Sequence, residues 1–196
     1  MALHVPAAPA PALRSVLTAL GSPTAVREAP TPALRSVQGP LGAELPLPVH
    51  VLDRVVPSGG APVTRLAGWR FHIRSGGRAV AAADTVLTPD GWAFSHFFEG
   101  PYLASTELAL RQAESAGAHG QARLLSVPEL YMLTLWLHAD TGADAAAGTL
   151  LPTDVLVPLA PAPPGIAPNR PHPAADLLPL MNLRLGPRPL LDTPAA

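Results

Sequence analysis

Asp84 and His96 are the acidic and basic side chains whose positions in the sequence best fit an acid/base site. They flank the turn sequence TPDG at residues 88–91, and antiparallel pairing counted outward from that turn sets Asp84 opposite His96. In such a pair the carboxylate can hold the tautomer of the imidazole while the imidazole acts as a general base. A non-catalytic hydrogen-bonded pair fits the same spacing, and no nucleophile accompanies it, since Ser95 points to the opposite face and Ser105 lies at a helix start. The sequence therefore favours no catalytic residue and keeps Asp84 and His96 as the alternative acid/base site.

A six-residue motif, PALRSV, occurs twice near the N-terminus, at residues 11–16 and 32–37, with a spacing of 21 residues. Two copies of a short linear motif on one chain can dock onto a repeated partner surface and gain avidity. The candidate binding residues are Leu13, Arg14, Val16, Leu34, Arg35 and Val37. A duplication inside an Ala/Pro-rich linker whose sequence changes freely would give the same repeat. So would two short helices that pack on their own domain.

Other chemical motifs point away from cofactors and metals. The histidines lack the i, i+4 spacing and the carboxylate neighbours of a zinc site, and the glycine pairs lack the strand-to-helix context of a phosphate loop. We therefore expect no metal and no cofactor. Charged residues make up 14% of the chain and the net charge is −1, so a basic surface for nucleic acid is not indicated. With no cysteine, the chain has no disulfide.

The elements that must position Asp84 and His96 lie in residues 69–98, where apolar and polar residues alternate as in half-buried strands. Gly76 and Gly77 predict one tight turn, and TPDG predicts a second turn with a three-residue loop and a bulge. Counting outward from these turns predicts the pairs Ile73 with Val80, Phe71 with Ala82, Trp69 with Asp84, Thr88 with Trp92, Val86 with Phe94, and Ala82 with Phe98. This register places Asp84 and His96 on the aromatic face of the sheet.

The flanking segments predict further elements of the same domain. Residues 45–56 predict an edge strand, because Pro46 and Pro48 are tolerated only at an edge or before pairing begins. A helix is predicted from Pro101 or Ser105 to near Ala116. Residues 123–138 fit either a helix or a strand, and their β-branched and aromatic content, with the partner segment 154–159, favours strand. The Gly/Ala-rich loop between them is predicted to be mobile.

Proline placement predicts the division of the chain. Of the 26 prolines, 11 lie in residues 1–62 and 12 in residues 152–196. Because proline interrupts backbone pairing, the predicted organisation is an N-terminal arm at 1–47, a folded domain at 48–160 and a C-terminal tail at 161–196. The predicted fold is α+β, an antiparallel sheet of about 5 to 7 strands packed against one main helix. A cystatin-like or roll-like arrangement agrees with that pattern.

The favoured functional prediction is a non-catalytic interaction or assembly protein, an adaptor whose domain and Pro-rich arms dock onto protein partners. Such partners include the subunits of a multi-subunit assembly or shell, and a homo-oligomer is compatible with the same features. The alternative is a small-molecule-binding protein or acid/base enzyme with a pocket between sheet and helix around Asp84 and His96. No apolar run reaches the roughly 18 residues of a membrane span. Prolines interrupt the start of the chain where a secretory signal is apolar, so we expect a cytoplasmic location.

Overall fold

The core of the molecule is one mixed sheet of eight strands. The computed structural model describes residues 3–52 and 62–185. The strands are β1 Gly42–Val51, β2 Arg65–Ser75, β3 Arg78–Thr88, β4 Gly91–Phe98, β5 Gln121–Val127, β6 Met132–His138, β7 Val155–Pro158 and β8 His172–Pro173. The helices are α1 Ala10–Leu20, α2 Pro23–Glu28, α3 Pro32–Ser36, α4 Pro101–Ser115 and α5 Ala174–Leu185. The order across the sheet is β4-β3-β2-β1-β5-β6-β7-β8, and only β1 and β5 run parallel.

The α+β class and the largely antiparallel sheet are confirmed, but the sheet has more strands than predicted. The preference for strand over helix at residues 123–138 is confirmed, but the segment forms two strands, β5 and β6, where one was predicted. A single 3₁₀ turn at Pro128–Leu130 separates them, since Pro128 has no N–H to continue a ladder. The partner segment at 154–159 forms β7, and α4 begins at Pro101 and ends at Ser115, as predicted.

The register of the first hairpin differs from the prediction by one residue. Ser75 pairs with Arg78 across Gly76 and Gly77, whose φ angles of 56° and 78° suit glycine. The register shifts between Ile73 and Arg74, which leaves Val80 as an extra residue of β3. The observed pairs are therefore Ile73 with Ala81, Phe71 with Ala83 and Trp69 with Thr85, rather than with Val80, Ala82 and Asp84.

The predicted register of the second hairpin is wrong near the turn and correct farther from it. Thr88 pairs with Gly91 rather than with Trp92, and Val86 pairs with Ala93 rather than with Phe94. A register shift between Asp84 and Thr85 then inserts one extra residue, Ser95, into β4. Beyond this bulge the predicted pairs Asp84 with His96 and Ala82 with Phe98 are confirmed.

The prediction of an edge strand at residues 45–56 is wrong, because β1 lies in the middle of the sheet, between β2 and β5. Residues 53–56 of that prediction lie outside the described residues. The prolines of β1 are tolerated because β1 pairs with β5 only from Val49 onward. Beside the first residues of β5, which β1 does not pair with, lies His4 of the N-terminal segment. The His4 N–H donates to the Gly120 carbonyl at 2.9 Å, and the Ala122 N–H donates to the His4 carbonyl at 2.8 Å.

Helices cover both faces of the sheet, whereas one main helix was predicted. On one face α4 packs its Ala109 and Leu110 against Leu124 and Leu135 of β5 and β6. The neighbouring residue Trp136 points to the other face, where it belongs to a cluster with α5. Helices α1 and α3 lie on that face too, against Phe71 and Ile73 of β2. No described helix has the length and apolar character needed to cross a lipid bilayer.

The described parts of the two Pro-rich segments pack on the sheet. In the N-terminal segment, Val16 of α1 and Leu34 of α3 are buried in one cluster with Trp69. At the other end, α5 buries Leu177 and Met181 beside Trp136, while residues 186–196 of the predicted tail lie outside the described residues. Of the alternatives left open for the PALRSV repeat, the structure has two short helices that pack on their own sheet.

We expect Leu34→Ala to lower the free energy of unfolding by about 3 kcal/mol, since it removes a fully buried side chain and leaves a cavity. Urea unfolding followed by circular dichroism measures the change. The neighbouring substitution Arg35→Ala removes an exposed side chain of the same helix and should change the stability by less than about 0.5 kcal/mol. Equal stability of Leu34→Ala and the native chain would mean that the N-terminal segment does not unfold together with the sheet.

Candidate functional site

Asp84 and His96 are neighbours in the ladder, but no hydrogen bond between them exists among the described residues. Two hydrogen bonds occupy the Asp84 carboxylate, from Nε of Arg70 to Oδ1 and from Nη2 to Oδ2, each 2.8 Å long. The exposed His96 ring has its Nδ1 3.0 Å from the hydroxyl of Ser95. The predicted aromatic face is also wrong: the one-residue shift pairs Asp84 with Arg70, on the face opposite to Trp69. Neither residue lines any of the four cavities described for the molecule.

The six candidate residues of the PALRSV repeat divide into two groups. Val16 and Leu34 are buried against the sheet, and Leu13 and Val37 pack partly buried around the same cluster. The side chains exposed to solvent are the two arginines, Arg14 and Arg35. A binding role for the repeat stays a prediction, and among the six candidate residues the arginines are the ones that a partner could reach in this structure.

A buried carboxylate, Asp154, organises a polar network that the sequence did not predict. Asp154 has no exposed surface and accepts four hydrogen bonds. Its Oδ2 accepts from Nε1 of Trp136 at 2.7 Å, from Nδ1 of His138 at 3.0 Å and from the backbone N–H of Leu151 at 2.9 Å. Its Oδ1 accepts from the backbone N–H of Ala139 at 2.9 Å. Because a carboxylate only accepts, the proton of His138 is held on Nδ1.

Three buried side chains of the sheet form hydrogen bonds to the loop that connects β6 to β7, residues 139–153. Gln121 donates its Nε2 to the carbonyls of Thr141 and Ala143, at 3.3 and 2.9 Å. Arg123 donates to the carbonyls of Asp144 and Ala147, and its Nε donates to Oε1 of Gln121. The third is His50, whose Nε2 lies 2.9 Å from the Ala145 carbonyl. The loop predicted to be mobile thus has five of its carbonyls bonded to the core.

Burial also determines the charge state of His50. Desolvation lowers the pKa of His50 to about 4, and the positive charge of Arg123 lowers it further, while the bond to Ala145 opposes the shift. The ring is therefore neutral at pH 7. Since the Ala145 carbonyl only accepts, Nε2 carries the proton and Nδ1 accepts from the hydroxyl of Thr64 at 2.9 Å. The ring packs edge-on against Trp136, with 5.1 Å between centroids.

A second buried histidine, His72, lies under α4. Its side chain has no exposed surface, and neither ring nitrogen has a hydrogen-bond partner among the described residues. Desolvation lowers the pKa of His72 to about 4; Glu107, with Oε1 3.9 Å from Nδ1, opposes the shift, and Arg70 and Arg74 add to it. A neutral imidazole is thus built into the sheet.

A cleft of about 520 Å³ lies beside the 139–153 loop. Residues 141–146 of the loop form one wall and residues 6–9 of the N-terminal segment form the other. Trp69 and Trp92 also line it. Trp69 is 3% exposed, and its indole Nε1–H is buried with no hydrogen-bond partner in the part of the chain that the structure describes.

An apolar groove of about 540 Å³, here called the tyrosine groove, lies on the α4 side of the molecule. Its lining includes Phe98, Tyr102, Tyr131, Met132 and Leu133. Tyr131 is 89% exposed and has a φ of 50°, a left-handed conformation that a bulky residue rarely adopts. The Tyr102 hydroxyl lies 2.8 Å from the Tyr131 carbonyl and holds this turn. Strained, exposed aromatic residues are frequent at binding sites.

The sequence contained a signal for the polar network that pattern reasoning missed. Strands β5 and β6 are mostly apolar, and their polar residues Gln121, Arg123, Thr134 and His138 are buried. Buried polar residues usually require partners, and Gln121 and Arg123 find them in the loop at 139–153 while His138 finds Asp154. Comparisons with protein-family models, with curated proteins and with solved structures gave no match to the chain.

Proposed function

We propose that the chain is a protein-interaction module that binds an extended segment of a partner along β4. This strand is the outermost of the sheet, and no described strand lies on its other side. Its sequence, GWAFSHFF, has eight residues and contains no aspartate, glutamate, lysine, arginine or proline. Sheet edges normally carry such residues because they prevent pairing with other chains. The uncharged edge of β4 is the observation that carries the proposal.

The surface around β4 supports the same function. Leu87, beside the β3-β4 turn, is 60% exposed, and Val86 is 41% exposed. At the other end of the strand, Phe98 lines the tyrosine groove. In strand addition, main-chain hydrogen bonds supply affinity and pockets for alternate side chains supply specificity. The edge and the tyrosine groove provide these two components for a partner segment with uncharged, apolar side chains.

The bulge at Ser95 limits which segments can pair with this edge. It divides β4 into two short runs on either side of the extra residue. A bulge bends the strand and increases its twist, so a long flat strand pairs poorly with it. The edge therefore selects a short or similarly bent segment and resists indiscriminate aggregation.

Photo-crosslinking in the native host tests the proposal. A photoreactive amino acid replaces Ser95 on the β4 edge, Tyr131 on the groove or, as a matched control, the exposed Gln112 of α4. We expect Ser95 and Tyr131 to crosslink the same protein partner and Gln112 not to do so. The proposal fails if Ser95 gives no crosslinked protein above the Gln112 background.

With the captured partner purified, we expect Tyr131→Ala to weaken binding by about tenfold or more, because an exposed aromatic at a docking groove is a typical hot spot. Isothermal titration calorimetry measures the affinity. Arg111→Ala removes an exposed side chain from α4 and should leave the affinity unchanged. An unchanged affinity for Tyr131→Ala would show that the tyrosine groove is not part of the interface. The crosslinks from Ser95 would then test the β4 edge alone.

A further inference from the structure

The bulge in β4 changes which side chains of the strand share a face. Phe94 and Phe97 are separated by an odd number of positions, so an uninterrupted strand would place them on opposite faces. Their ring centroids nevertheless lie 4.5 Å apart, in the cluster with α1 that also contains Trp92. On the other face lie His96 and Phe98, whose ring centroids are 5.3 Å apart. The pattern of faces along β4 is therefore symmetric about the middle of the strand.

This symmetry suits antiparallel pairing between β4 strands of two copies of the chain. Residues directly opposite each other in an antiparallel pair lie on the same face of the sheet. A two-fold axis beside Ser95 sets Trp92 opposite Phe97 of a second copy and Ala93 opposite its His96, and the members of each pair share a face. In a strand without the bulge the same residues would point to opposite faces, so the bulge permits the match.

Charge and closure also favour a second copy as the partner. A two-fold axis brings identical residues close together, and β4 contains no aspartate, glutamate, lysine or arginine that would repel its copy. The opposite edge of the described sheet is β8, which has two residues and ends at Pro173. So short an edge offers no equivalent site, and pairing through β4 closes as a dimer without continuing into a fibre.

We propose that two copies of the chain pair through β4 as an antiparallel two-fold dimer, which joins their sheets into one. This inference rests on the proposed function of the β4 edge and identifies the partner segment as β4 of a second copy. The bulge at Ser95 then lies at the two-fold axis, so each copy supplies the similarly bent segment that the other selects. Main-chain hydrogen bonds along the edge and contact between Trp92 and Phe97 of the second copy stabilise the pair.

Sedimentation equilibrium of the purified full chain tests the proposal. We expect twice the 20.2 kDa mass of one chain at about 100 µM, with dissociation on dilution. Ser95→Lys places a charge on the exposed edge beside the same charge of the second copy, so it should weaken dimerisation by about 100-fold or more. Gln112→Lys adds the same charge to an exposed position of α4 and should dimerise as the native chain does. A native chain that stays a monomer at about 100 µM, or native affinity in Ser95→Lys, overturns the proposal.

Opposite charges at the same position test the two-fold arrangement directly. Ser95→Asp should be monomeric for the same reason as Ser95→Lys. An equimolar mixture of the two variants should form mixed dimers, because opposite charges then meet beside the axis. Native mass spectrometry with one variant labelled with ¹⁵N identifies the mixed species, and their formation also shows that both variants are folded. A mixture that stays monomeric while the native chain dimerises overturns the proposed arrangement.

The photo-crosslinks from Ser95 distinguish this inference from the function on which it rests. Capture of the chain itself in the host supports both. If the purified chain is a monomer while Ser95 crosslinks a different protein in the host, the β4 edge keeps its interaction function and a second copy is overturned as its partner. If the purified chain is a monomer and Ser95 gives no crosslinked protein, both fail.

Discussion

We expect the chain to lose most of its stability as the pH falls from about 6.5 to about 4. His50 and His72 have a pKa lowered from 6.5 to about 4 in the folded state. Since the unfolded chain binds a proton at these rings more readily, their contribution is fully present above pH 6.5 and is lost as the pH falls toward 4. Each ring contributes about 3 kcal/mol over this interval, at about 1.4 kcal/mol per pH unit. Two rings together approach the total stability of a typical domain.

The substitution His72→Leu identifies the contribution of one ring. Within residues 3–52 and 62–185 neither nitrogen of His72 has a hydrogen-bond partner, so leucine removes the titrating group without leaving a partner there unpaired. Urea unfolding at a series of pH values should show about half the native loss of stability between pH 6.5 and 4. His96→Leu, which removes an exposed imidazole, should unfold with the native pH dependence. An unchanged pH dependence in His72→Leu would show that acid unfolding arises from other groups.

The sequence predicted those parts of the fold that depend on local patterns. Alternation along residues 69–75 and the glycines at 76 and 77 predicted the first hairpin. The bulges at Val80 and Ser95 were not predictable from alternation, because they depend on contacts between strands. Gly68 illustrates this: a Cβ there would lie 1.9 Å from the carbonyl oxygen of Thr85, so the close approach of β2 and β3 requires glycine. A one-residue shift then placed Asp84 on the opposite face.

Proline composition predicts an N-terminal arm, whereas the described residues of this segment pack on the sheet. The local pattern also predicts the helix itself, because Pro11 suits the first turn of a helix, where its missing N–H costs nothing, and α1 begins at Ala10 and ends at Leu20. Ala12, Val16 and Ala19 follow at the i, i+4, i+7 spacing of a buried helical face, and all three are buried. The two candidate sites needed contacts between distant segments: the buried polar residues join strands β1, β5 and β6 to one loop, and the cleft joins residues 6–9 to residues 141–146.

Substitution of Asp154 should have the largest effect of any single change in the described chain outside the hydrophobic clusters. Asp154→Ala leaves four donors without an acceptor, on Trp136, His138, Ala139 and Leu151. Buried donors that lose a charged partner cost more than the net value of the bonds themselves. We therefore expect the free energy of unfolding to fall by about 4 kcal/mol, measured by urea unfolding at pH 7.

Asp154→Asn provides the graded comparison, since it keeps the shape and one acceptor oxygen. Three of the four donors converge on Oδ2, so the amide nitrogen must face at least one donor in either orientation, and we expect a loss of about 2 kcal/mol. Asp176→Asn, on the exposed first turn of α5, should change the stability by less than about 0.5 kcal/mol. Hydrogen exchange of the 139–153 amides should accelerate in both Asp154 variants, because Asp154 holds both ends of that loop through Ala139 and Leu151. If Asp154→Ala costs less than about 1 kcal/mol and leaves this exchange unchanged, Asp154 does not hold the ends of the loop, and the hydrogen bonds of Gln121, Arg123 and His50 to its carbonyls hold it without Asp154.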